Sequence, residues 1–135
     1  LPLRMERHCA NAFSLATYLE HHPRVTAVHH IGLRDHPQFD LAKLYYPKGS
    51  GMLSFEIKGD ESDAFSVLSK LNLCSLAPTM GDSDTLVLHP ASSSHLNIPK
   101  EDRLHEGVKD TLIRVNVGIE NIHDIMQDFE QALSL

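Results

Sequence analysis

Arg114 sits inside DTLIRVNVGIE, where Ile113, Val115 and Val117 alternate onto one face while Leu112, Arg114, Asn116 and Gly118 share the other. A guanidinium stays charged at every working pH. It can hold a carboxylate through two parallel hydrogen bonds, which fixes orientation as well as position. Half-buried on a strand, it must find an anion, because an unpaired buried charge is costly. That anion is either one of the chain's 18 acidic side chains or the carboxylate of a small ligand. A second candidate is the loop PTMGDSDTL, where Thr79 offers a hydroxyl, Gly81 allows an unusual backbone conformation and Asp82 can pin the turn. Such a loop can hydrogen-bond a small polar ligand or act as an ordinary turn.

Other chemistries are poorly supplied. Of ten histidines, His21–His22 and His29–His30 are adjacent pairs, and His89 and His95 flank PASSS. Neighbours on a strand point to opposite faces, and no compact set of three or four zinc-type ligands is present, so no metal is expected. His89 and His95 are expected to tie down their loop by hydrogen bonds. Cys9 and Cys74 lie far apart with no CxxC spacing and outside any active-cysteine motif. There is no GxSxG elbow and no glycine-rich phosphate loop.

The elements that must position these residues can be read from periodicity. Residues 3–21 form a helix with Met5, Cys9, Ala12, Phe13, Ala16 and Leu19 inward, ended by Pro23. VTAVHHI, residues 25–31, is a strand, and HPQFDLAKLYY gives a short helix before the turn cluster PKGSG. MLSFEIK, residues 52–58, alternates with Leu53, Phe55 and Ile57 inward and Ser54 and Glu56 outward. GDES leads into a helix whose stripe is Ala64, Phe65, Val67, Leu68 and Leu71. LCSLA and TLVLH are short apolar pieces, and PASSSHLNIPKEDRLHEG is a long polar connection of the kind that serves function or an interface. The final strand bearing Arg114 runs into a helix striped by Ile122, Ile125, Met126, Phe129 and Leu133, with Asn121 as cap and Asp124 in its first turn. This order predicts an α+β, two-layer domain in which helices cover a mostly antiparallel sheet. The sheet's other face is expected to be covered by another domain.

A chain of 135 residues, 41% hydrophobic and 22% charged, fits one domain with one core. A net charge of −6 argues against nucleic acid, since phosphate binding needs clustered Lys and Arg. No apolar run approaches the roughly 20 residues of a membrane-spanning helix, so no membrane is expected as a partner. Reduced thiols in a cytoplasmic protein are the expected reading of the two cysteines. The chain begins with Leu1 and turns helical almost at once, so a natural chain extending upstream is expected.

Four strings in fixed order carry a family resemblance: RHCANAFSLATYLEHHPRVTAVHHIGLRDHPQFDLAKL, GSGMLSFEIKG, LNLCSLAPTMGDSDTLVLHPASSSH and GVKDTLIRVNVGIENIHDIMQDFEQAL. Together they span nearly the whole chain, residues 1–135, and it resembles the C-terminal domain of the Cys/Met-metabolism family of pyridoxal-phosphate enzymes. That family includes cystathionine γ-synthases and lyases, methionine γ-lyases and sulfhydrylases acting on acylated homoserine. The resemblance implies the small C-terminal domain of a fold-type I enzyme. It places Arg114 at the arginine of the family's LIRxSVGxE motif, which holds the substrate α-carboxylate. Thr79 falls where the family has the serine of an SLG tripeptide near that carboxylate. Met80 replaces the usual leucine and Asn116 the usual serine of LSVG. Pro78, and Gly81–Asp82 in place of GG, look more like methionine γ-lyases and homoserine-ester sulfhydrylases than like cystathionine-handling members.

The resemblance also implies what lies elsewhere. The family's cofactor, pyridoxal 5'-phosphate, is held through a Schiff-base lysine in a larger upstream domain, and none of the six lysines here aligns with it. The expected function is therefore the substrate-binding part of a larger homotetrameric or dimeric enzyme, performing γ-elimination or γ-replacement on methionine, cystathionine or acylated homoserine. The isolated chain is expected to be inactive. Against this stand two other readings, a stand-alone module that binds amino acids through Arg114 and a purely oligomerising domain.

Overall fold

The computed structural model describes residues 1–134. In chain order the elements are α1 (Pro2–Glu20), β1 (Val25–His29), α2 (Phe39–Tyr45), β2 (Met52–Ile57), α3 (Glu61–Lys70), β3 (Ser75–Leu76), β4 (Leu86–Leu88), α4 (Lys100–His105), β5 (Leu112–Asn116) and α5 (Ile122–Leu133), with a 3-10 turn at Pro90–Ser92. The five strands form one sheet in the order β1-β2-β5-β4-β3, antiparallel except for the β3–β4 edge pair. This is the expected α+β architecture, and β5, which carries Arg114, is its central strand.

One face of the sheet holds the main core. Leu53, Phe55 and Ile57 of β2, Val87 of β4 and Ile113 and Val115 of β5 point into it, against Leu15 and Leu19 of α1, Val67 and Leu68 of α3 and Ile125 and Phe129 of α5. Phe55 and Phe129 meet edge to face at 5.9 Å between ring centres, a geometry that the aromatic quadrupole favours. Helices α3 and α5 begin where a side chain satisfies free backbone N–H groups. Asp60 accepts from the Ser62 and Asp63 amides to start α3, and Asn121 accepts from the His123 amide to start α5. Asp128 of α5 accepts hydrogen bonds from the amides of Asn72, Leu73 and Cys74, tying the turn after α3 to the last helix.

Several expectations need correction. Met5 and Phe13 do not face the core (Phe13 is 46% exposed), because α1 is rotated so that His8, Asn11 and Leu15 point inward. Phe65 likewise leaves the α3 stripe, 44% exposed, to tilt against the His89 ring. β1 ends at His29, two residues early, because His30 turns inward and its ring meets the Ser50 carbonyl and the Gly32 amide. Glu56 faces away from the main core as expected but is buried, held by His29 and Lys109. The long polar connection contains the short helix α4, whose buried Arg103 bonds the Val108 carbonyl and Asp110. The second face of the sheet is covered in part by the chain itself. Leu86, Leu88 and Leu112 are buried there, and the Pro90–Ser92 turn packs against β5. Among the described residues no helix is long and apolar enough to cross a membrane.

Candidate functional site

Arg114 lies on this second face, directly between Ser54 of β2 and Leu88 of β4. Its Nε and Nη2 atoms are buried and have no hydrogen-bond partner among the described residues. The internal carboxylate that sequence alone allowed is therefore not there. Glu56 shares the face, but its two oxygens are taken by His29 at 3.1 Å and Lys109 at 3.0 Å. Burial pushes the Glu56 carboxyl up, yet the hydrogen bonds from His29 and Lys109 outweigh it and hold the pKa below its ordinary value. Arg103 shows what a structural arginine looks like in the same chain. Its Nη2 meets Asp110 Oδ1 at 2.7 Å and its Nη1 the Val108 carbonyl at 2.8 Å. One buried guanidinium is satisfied internally and the other presents free donors. Desolvated donors without acceptors cost about 1–3 kcal/mol each, more when charged, so Arg114 carries a cost that no acceptor among the described residues offsets.

Two residues along the same strand face, Asn116 is buried and lines a cleft of about 390 Å3 together with Met5, His8, Met52, Met80 and Gly81. Its Nδ2 donates to the Thr79 carbonyl at 3.3 Å, while its Oδ1 is buried without a partner. The structure thus joins Thr79 to the Arg114 strand through Asn116 and through the threonine backbone. The Thr79 side chain is on an exposed residue, and no hydrogen bond links it to Arg114 among the described residues. The loop is held from its other side by α1. The Arg4 guanidinium donates from Nη2 to the Gly81 carbonyl and from Nε to His8 Nε2, and His8 Nδ1–H donates to the Val117 carbonyl at 2.6 Å. Sequence reasoning missed Arg4, His8 and the buried amide of Asn116. The four-residue spacing of Arg4 and His8 on one helix was the available signal.

The turn after β5 is a structural clamp. Glu120 accepts from the Thr85 amide at 2.8 Å and from its hydroxyl at 2.7 Å, and that hydroxyl accepts from the Gly118 amide at 2.9 Å. A Cβ at Gly118 would fall 2.3 Å from both the Ser83 carbonyl and Glu120 Oε1, so only glycine fits this approach. The clamp fixes the end of the Thr79–Asp84 loop against the strand bearing Arg114.

The remaining candidates carry no chemistry. His89 bonds the Ser92 hydroxyl and the Asp110 carbonyl, each at 2.7 Å, and His95 meets Ser94, as a loop-tying role requires. Burial first, and then the Asp128 carboxylate, push the Cys74 thiol far up, which leaves it unreactive. Among the described residues no three His, Cys, Asp or Glu side chains converge as metal ligands. All six lysines are exposed, and Lys48, Lys100 and Lys109 are engaged in ion pairs.

The fold and site define an α+β domain with an unsatisfied arginine on its central strand, and comparison with known proteins gives the family. The family model for Cys/Met metabolism PLP-dependent enzymes matches residues 1–134, and the chain belongs to that family. It is 44% identical over 131 residues to an L-methionine gamma-lyase of Fusobacterium nucleatum, covering 97% of this chain and 33% of that protein. It is 48% identical over 136 residues to a homocysteine synthase of Schizosaccharomyces pombe, covering 100% and 32%. A solved chain assigned as an O-acetylhomoserine (thiol)-lyase of Campylobacter jejuni, crystallised with a pyridoxyl-lysine phosphate, superposes with a TM-score of 0.93 at 36% identity, over 98% of this chain and 32% of that one. The chain spans about a third of the length of the relatives it matches. The family depends on pyridoxal phosphate. The residues of this chain do not fit that cofactor's cradle, because all six lysines are exposed and the unsatisfied buried groups are a guanidinium and an amide oxygen, neither of which can form a Schiff base.

Proposed function

We propose that this chain is the substrate-carboxylate-binding domain of a pyridoxal-phosphate enzyme of sulfur amino-acid metabolism. The reaction class is γ-elimination or γ-replacement on methionine, cystathionine or acylated homoserine. One observation carries the reading: Arg114 keeps Nε and Nη2 buried on the central strand with no acceptor among the described residues. Arg114 receives the α-carboxylate through paired hydrogen bonds and so orients the Cα substituents. The Thr79 loop, secured by Asn116 and Arg4, borders the same site and contributes a hydroxyl near the carboxylate. The cofactor and its Schiff-base lysine belong to another domain of the whole enzyme, upstream of residue 1, and the active form is a homo-oligomer. The chain alone is inactive. Pro78 and the Gly81–Asp82 pair lean the substrate toward methionine or an acylated homoserine.

The test is substitution of Arg114 in the cofactor-loaded enzyme. Arg114→Ala removes a bidentate, charge-assisted contact and is expected to lower kcat/KM about 100-fold or more, with the cofactor absorbance unchanged. Arg114→Lys restores only part of the loss, since an ammonium cannot reproduce the planar fork. A kcat/KM unaffected by Arg114→Ala would falsify the assignment.

A further inference from the structure

The unsatisfied groups on this face differ in kind. Arg114 offers buried donors, whereas Asn116 offers a buried acceptor, Oδ1, with no partner among the described residues. The orientation of the Asn116 amide is fixed chemically. Its other terminus faces the Thr79 carbonyl at 3.3 Å, and only the NH2 group can donate to a carbonyl, so Oδ1 must be the atom left over. Asn116 is 5% exposed, so bulk water does not serve Oδ1. Arg114 does not serve it either, since its own Nε and Nη2 are equally unpaired. The two residues stand at alternate positions of β5, with Cα atoms about 7 Å apart along one face, a span that a single small molecule can bridge.

We propose that Asn116 is a second anchor of the ligand and a specificity-determining residue. Oδ1 accepts a hydrogen bond from an N–H or O–H group carried within a few bonds of the carboxylate that Arg114 holds. The site therefore selects carboxylic acids bearing such a donor over plain carboxylates. A buried acceptor left empty by a ligand without the donor penalises that ligand, which makes rejection strong where mere shape selection is weak. The inference rests on the carboxylate reading of Arg114 and deepens it.

The experiment is calorimetric titration of the cofactor-loaded enzyme with two probes, 2-hydroxy-4-(methylthio)butanoate and 4-(methylthio)butanoate. They differ by one hydroxyl, and neither has an amine that could react with the cofactor. The hydroxy acid is expected to bind roughly tenfold tighter or better. Asn116→Ala is expected to bring the ratio close to one, while the loss of its bond to the Thr79 carbonyl weakens both probes alike and so leaves the ratio as the readout. Asn116→Ser, which keeps a hydroxyl acceptor, should restore part of the preference and covers the case in which the alanine variant does not fold. Equal affinities in the unaltered enzyme, or a preference that survives Asn116→Ala, overturn the role of Asn116. Failure of both probes to bind, or binding of both unchanged in Arg114→Ala, overturns the carboxylate reading beneath it.

Discussion

At the scale of single residues, Arg103 and Arg114 differ in how their guanidinium groups are met. Arg103 is held by Asp110 and Val108, so Arg103→Ala would leave Asp110 with Lys100 alone and strip the Val108 carbonyl. A fully buried pair broken in this way costs about 3–5 kcal/mol, and because Asp110 is partly exposed we expect on the order of 2 kcal/mol of lost stability. Arg114 has no such partner among the described residues, so Arg114→Met removes desolvated donors while keeping much of the volume. Its melting temperature should match or exceed that of the parent chain even as ligand binding is lost, the trade expected of a site residue. Thermal melts of the two variants decide the matter, and a marked drop for Arg114→Met would show that the arginine supports the fold. That Arg114 sits part-buried on a strand was legible from the alternation of LIRVNVG, whereas the lack of an internal partner among the described residues was not. The empty acceptor on Asn116 was not legible, since an amide's satisfaction depends on which backbone carbonyl folding brings to it.

At the scale of elements, what periodicity could show was seen and what depended on rotation or tertiary approach was not. Helices α1, α3 and α5 and strands β2 and β5 have stripes long enough to read, and α3 and α5 also have side-chain caps. α4 escaped because its six residues, KEDRLH, have no apolar stripe and are placed by Arg103 reaching back to Asp110. The exact facing of α1 escaped too. Its inward His8 and Asn11 are polar residues recruited to the carbonyls of Val117, Gly118 and Glu120, a demand that exists only once β5 is in place. That dependence makes the turn after β5 the joint between layers. Gly118→Ala would drive a Cβ into the Ser83 carbonyl and Glu120, so the turn must open or the strand shift. We expect this single methyl to destabilise the domain by several kcal/mol, more than the roughly 1 kcal/mol expected when Asn121→Ala removes the α5 cap. Denaturant midpoints of the two variants test that order, and a milder effect at Gly118 would mean that the joint yields.

At the scale of the whole molecule, its carboxylates and histidines set a two-step response to acid. His30 is buried, and in the structure its Nε2–H donates to the Ser50 carbonyl while Nδ1 accepts from the Gly32 amide. Burial lowers its pKa, the Ser50 bond opposing, and a proton added at Nδ1 would face an N–H donor. Burial also lowers His22, with the Arg24 charge adding to it. A histidine whose folded pKa is depressed contributes stability that is complete above its unfolded pKa of about 6.5 and is lost as pH falls through the folded value. Asp128 forms the second step. Burial raises its pKa, but the amides of Asn72, Cys74 and Leu73 and the Gln131 side chain together bring it below the ordinary value. Its contribution, like that of Glu56, is complete above roughly pH 4 and is lost as pH falls further. The melting temperature of the chain should therefore decline gently from about pH 6.5 and steeply below about pH 4. His30→Gln cannot take a proton, so it should flatten the upper step and leave the lower one, whatever its stability at neutral pH. An upper step of undiminished slope in that variant would move the acid response of this fold away from His30, leaving His22 as the group to examine.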